Sequence, residues 1–212
     1  MARYSKGILG AFSGTVGTVV GSKWKGIEYM RSKSGKKNST PTPAQEVHRA
    51  KFSLVGKFIQ SMSGLFPVTF KDYANQMTGS NYVFSYTMEN VVTGDYPDLK
   101  LDYNLALIAK GSLPNAEKPS AVKDGTGVIK FNWMDNSGSG FAKPNDKAIM
   151  VAYCEELNQC QFKLAGANRA AGTDSLNVPA FSGKQVHTWL AFISETGEDV
   201  ATSIYTGVVT VD

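Results

Sequence analysis

From about residue 99 onward the chain breaks into short alternating apolar pieces separated by turn residues, which constrains the fold more than any other feature. The pieces lie at 99–109, 127–134, 148–154, 160–164, 175–178, 185–193 and 202–209. The stretch VIKFNWM is the clearest, with Phe131 and Trp133 marking one face. Clusters such as NSGSG at 136–140 punctuate them. A succession of short period-two segments predicts an antiparallel β-sandwich, each sheet having one dry and one wet face. Trp133 and Trp189 are expected as core anchors, with Tyr153, Phe162 and Phe192 filling space between the sheets.

Before this region the periodicity is helical. Val47, Leu54, Val55, Phe58, Ile59 and Met62 recur at helix spacing, predicting a helix over 44–63 that stops at Gly64. A second helical stripe runs through Phe70, Tyr73, Ala74 and Met77. Residues 81–91 fit either period, and the balance favours a helix. The expected class is α+β, mainly β, in three parts: a Gly-rich basic arm and linker at 1–43, a helical region at 44–98 and an antiparallel β-sandwich at 99–212.

The front of the chain is different in charge. Residues 1–60 hold eleven Lys and Arg against two acids, and residues 61–212 hold eleven against sixteen. A basic head on an acidic body can meet nucleic acid, an anionic surface, or the body of a neighbouring copy. Arg3 and Lys6 precede an uncharged stretch at 7–22, loosely like a secretory signal. Its glycines dilute it every three or four positions, and it holds one Leu and one Ile, so the expectation is an element of the folded protein. No other apolar run is long enough to span a membrane. Two β-prone pieces, at 15–20 and 24–30 with Gly21 and Ser22 between them, predict a small hairpin turning there or an extended β arm. The linker SKSGKKNSTPTP follows.

Motifs that carry chemistry are missing. There is no phosphate-binding GxxxxGK[ST], no GxGxxG, no GxSxG and no HExxH. His48 and His187 have no ligand partner at metal spacing and read as structural or surface residues. Asp95, Asp98 and Asp102 match no calcium loop and read as a solvated turn. No cofactor or metal is expected. Cys154 and Cys160 flank a predicted turn; a cross-strand disulfide would suit export, and two half-buried thiols would suit a reducing compartment.

The opening KGILGAFSGTVGTVVGSKWKGIEYMRS and the following TPAQEVHRAKFSLVGKFI resemble a Bacteroidetes family of proteins of about this length, classed as a domain of unknown function. GVIKFNWMDNSG, NRAAGTDSLNVP and HTWLAFISETGEDVATSIYTG extend the resemblance over nearly the whole chain. It implies a bacterial source, which demotes the glycosylation triplet Asn38-Ser39-Thr40, and a prophage, mobile-element or surface setting. It brings no catalytic residue. The C-terminal half also looks like immunoglobulin or fibronectin type III modules, though without a cysteine pair at immunoglobulin spacing.

The functional expectation is therefore a non-enzymatic structural or protein-binding protein. It would contact a protein partner or its own copy through Trp24, Lys25, Tyr29, Arg31, Lys36 and Lys37. The alternative is a nucleic-acid accessory using the same basic segment. A hydrolase with an unrecognised site comes third. A cytoplasmic or virion-like assembly is favoured over export.

Overall fold

The computed structural model describes residues 3–4, 10–24, 26–35, 40–74 and 77–212. The chain divides into two compact units, 1–42 and 43–212.

The first unit is an antiparallel sheet of four consecutive strands: β1 (Arg3–Tyr4), β2 (Phe12–Val16), β3 (Val19–Trp24) and β4 (Ile27–Ser32). Val16 pairs with Val19 and Trp24 with Ile27, so both hairpin connections have two residues. Gly17 and Gly26 supply positive φ in them, 57° and 84°. The turn expected at Gly21 and Ser22 is thus misplaced, since both lie inside β3. Gly21 serves close packing instead: a Cβ there would stand 2.1 Å from the Phe12 carbonyl oxygen.

In the second unit, α1 (Pro43–Ser61) starts at a proline and carries Glu46 in its first turn, both favourable at a helix N-terminus. It buries Val55, Phe58 and Ile59. α2 (Phe66–Thr69) and a 3₁₀ turn at Lys71–Tyr73 replace the longer second helix expected from the sequence. α3 (Gly79–Asn90) settles the ambiguous segment; Thr78 caps it by accepting a 3.1 Å bond from the Asn81 amide. Gly79 lets α3 approach α2, because an added Cβ would lie 2.6 Å from the Phe66 carbonyl.

A two-residue pairing, β5 (Val92–Thr93) with β6 (Lys100–Leu101), leads into the strands. The alternation at 99–109 does not make a longer strand. Its backbone groups are satisfied by turns and hydroxyls. The Ile108 amide donates to Ser203 Oγ at 3.0 Å, and Thr69 Oγ1 donates to the Ile108 carbonyl at 2.8 Å.

Seven further strands follow: β7 (Glu117–Lys123), β8 (Val128–Met134), β9 (Lys147–Cys154), β10 (Gln159–Lys163), β11 (Thr173–Asn177), β12 (Gln185–Ile193) and β13 (Ile204–Thr210). They form two antiparallel sheets, ordered β10-β9-β12-β13 and β11-β8-β7. The protein is thus a mixed α+β fold of several antiparallel sheets and packed helices.

Two hydrophobic clusters lie on opposite faces of β9 and β12. One joins Met150, Ala152, Leu190 and Phe192 to Ile129, Phe131 and Trp133 of β8. The other joins Ile149, Val151, Tyr153, Trp189 and Ala191 to Phe58, Met62 and Phe66 of the helical segment. The central strands therefore have two dry faces, where one wet face was expected. Tyr153 and Trp189 consequently pack on the helix side, Phe162 joins that cluster, and Phe192 lies between the sheets.

Candidate functional site

Among the described residues of the first unit, only Gly21 is buried. Among its described residues the sheet therefore encloses no side-chain core of its own. Register decides what it presents. Directly paired residues share a face, so Val20 and Arg31, Ser22 and Tyr29, and Trp24 and Ile27 point the same way. Trp24, Ile27 and Tyr29 are 45%, 54% and 45% exposed. The opposite face carries Val16, Val19 and Met30, the last 72% exposed.

β4 ends the strand order and is exposed at all six positions. Among the described residues it pairs only with β3, so its outer edge offers backbone donors and acceptors to another strand. Of the contact residues named from the sequence, Trp24, Tyr29 and Arg31 meet on one face; Lys25, Lys36 and Lys37 lie outside the described residues. Ile27 was missed, although its position two residues before Tyr29 places it on the same face.

A few titratable groups of the second unit are bound up in packing. His187 stacks on Tyr103, with ring centroids 3.7 Å apart, and its Nδ1 lies 2.8 Å from the Tyr205 hydroxyl. Burial lowers its pKa from the ordinary histidine value, and Glu155, 4.0 Å from Nε2, opposes this. Burial raises the phenols of Tyr103 and Tyr153, with the Glu155 charge adding to both. His48 is exposed on α1. Asp102 Oδ1 accepts from the Asn104 amide and side chain at 3.1 and 3.0 Å, while Asp95 and Asp98 are exposed.

Cys154 and Cys160 are not bonded to each other in this structure. In the hairpin register Cys160 faces Tyr153, while Cys154 faces Gln159. Successive residues point to opposite faces. Cys154 therefore enters the cluster between the sheets, and Cys160 packs on the helix side. Burial pushes the Cys160 thiol up to about 12.

A buried polar centre escaped the sequence altogether. Arg169 is fully buried, and its Nε donates to Asp146 Oδ2 at 3.1 Å. Its other nitrogens donate to Asn136 Oδ1 at 2.7 Å and the Pro114 carbonyl at 2.8 Å, and its guanidinium lies 4.2 Å from the Phe192 ring centroid. The Trp133 indole donates to the Arg169 carbonyl at 2.7 Å. This ties the 3₁₀ turn at Arg169–Ala171 to both sheets.

A family model described as a family of unknown function, DUF6266, matches residues 11–207. The chain belongs to this family. Its match takes in β2, β3 and β4 of the exposed sheet, the helices and the later strands as far as the middle of β13, so the DUF6266 unit includes most of the arm as well as the body. No curated protein matches the chain significantly. Among the described residues, no helix is long and apolar enough to cross a membrane, and no group of three His, Cys, Asp or Glu is placed to hold a metal ion.

Proposed function

We propose that this DUF6266 protein acts by binding, its front sheet docking onto a second copy of the chain. The observation that carries this is the exposure of Trp24, Ile27, Tyr29 and Met30 on a sheet whose described residues bury only Gly21. Apolar and aromatic surface of this kind gains stability when covered. The open edge of β4 provides a backbone route as well, through addition of a strand. The charge contrast between residues 1–60 and 61–212 favours encounter between the head of one copy and the body of another.

The body is read as an immunoglobulin-type module. Support comes from the strand orders β11-β8-β7 and β10-β9-β12-β13, which follow the E-B-A and C′-C-F-G arrangement of such sandwiches. Modules of this kind commonly display surfaces, which suits an assembly role in a bacterial prophage, mobile-element or surface setting.

Sedimentation of the full chain against a variant lacking residues 1–42 tests the proposal. The full chain is expected to self-associate and the shortened one to remain monomeric. Identical sedimentation overturns it. A second reading, single-stranded nucleic acid on the same face, is favoured by Trp24 and Tyr29 sharing that face with Arg31. Fluorescence anisotropy with a labelled oligonucleotide separates the two, since nucleic-acid binding falls steeply with salt.

A further inference from the structure

The second unit carries a cleft of about 360 Å³ beside the Asp146–Arg169 centre. Phe141, Asp146, Glu195, Glu198 and Asp199 line it, with Lys143 the one cation among the lining residues. Phe141 is 82% exposed, an unusual state for a phenylalanine, and it presents an aromatic ring to whatever enters. Glu195, Glu198 and Asp199 are exposed on the loop between β12 and β13.

Asp146 supplies an independent observation. Its side chain is fully buried, and Oδ2 is taken by Arg169 Nε and by the Lys143 amide at 2.8 Å. Oδ1, equally buried, has no hydrogen-bond partner. Buried acceptors in folded proteins are nearly always satisfied. An orphaned carboxylate oxygen on a residue that lines an acidic cleft suits a ligand bearing N–H donors and positive charge. The carboxylates do not cluster tightly enough for a metal ion, which favours a cation spread along a side chain.

We infer that the cleft receives a cationic side chain, lysine or arginine, from residues 31–37 of a second copy. This segment offers Arg31, Lys33, Lys36 and Lys37 without an intervening acid. The inference deepens the assembly reading and rests on it for the identity of the donor. The cleft's preference for an organic cation stands on Phe141, Asp146 and the acidic loop alone. Exposed carboxylates would steer and hold the charge, Phe141 would lie against the side chain, and the buried oxygen would accept from its terminal N–H group.

The test is titration of the ¹⁵N-labelled full chain, dilute enough to be monomeric, with a blocked peptide of residues 31–37. Amide shifts are expected at Phe141, Asp146 and 195–199. A Glu198→Gln and Asp199→Asn double variant should bind about five- to tenfold more weakly, as loss of two exposed charge partners implies. A peptide with its four basic residues replaced by Gln should leave the spectrum unchanged. Shifts elsewhere, or equal affinity in the double variant, overturn the inference. Should the peptide miss the cleft while removal of residues 1–42 still abolishes association, only the cleft assignment fails. Should the peptide bind there while the shortened chain associates normally, the assembly reading fails and the cation site stands.

Discussion

Replacing Arg169 by Met tests how the body is held together, because the residue bridges otherwise distant segments. Arg169→Met removes the charged partner of Asp146 and the donors to Asn136 and Pro114. The methionine chain still packs near Phe192, so lost volume is a small part of the effect. Removing one member of a buried ion pair costs about 3–5 kcal/mol, chiefly because the remaining charge is stranded in a low-dielectric site. Against a typical domain stability of about 5–15 kcal/mol, the variant should fold with a much lower urea midpoint. Emission from the buried Trp133 and Trp189 would report the transition.

The charge argument has a sharper consequence. A double variant, Arg169→Met with Asp146→Asn, leaves no stranded charge and should recover about 1–3 kcal/mol relative to the single variant. A deficit below about 1 kcal/mol, or one equal in the single and double variants, refutes the buried-charge reasoning.

Other consequences are simpler to measure. His187 has a folded pKa below its unfolded value of 6.5, so its contribution is complete above that value and is lost as pH falls below it; His187→Gln should flatten the unfolding midpoint over that range. Both thiols should be counted free in denaturant without reductant, and both should resist alkylation in the native protein, Cys154 by burial and Cys160 by its raised pKa. Gly79→Ala places a methyl 2.6 Å from the Phe66 carbonyl and should lower stability by about 1–3 kcal/mol in thermal melts, more than an exposed helix position would show.

The legible parts of the fold are those where one local pattern had one cause. VIKFNWM alternates because β8 packs Ile129, Phe131 and Trp133 inward and leaves the intervening side chains partly exposed. KAIMVAYC and TWLAFI are nearly continuous apolar runs, and this already signals strands covered on both faces. What covers the second face is set by helices 60 or more positions away, for which no local pattern exists. β7 was invisible because it is a polar edge strand, with Pro119 and a register shift between Glu117 and Ser120.

At the candidate site the same rule holds. Trp24, Tyr29 and Arg31 were recognisable as a basic aromatic group, yet their common face follows from a hairpin register that depends on Gly17 and Gly26 as the turns. Placing the turn at Gly21 and Ser22 would have separated them. The Asp146–Arg169 centre had no sequence signal. Its bonds join positions 114, 136, 146 and 169, and an arginine followed by two alanines reads as surface.

Amide hydrogen exchange across β4 as a function of protein concentration tests most directly whether the front sheet is a docking element. Protection of Ile27–Ser32 should rise as the chain becomes concentrated, while β9 and β12, sealed on both faces, stay protected throughout. If those β4 amides exchange at one unchanging rate while larger species form, copies meet through some other surface and the account of the arm is wrong.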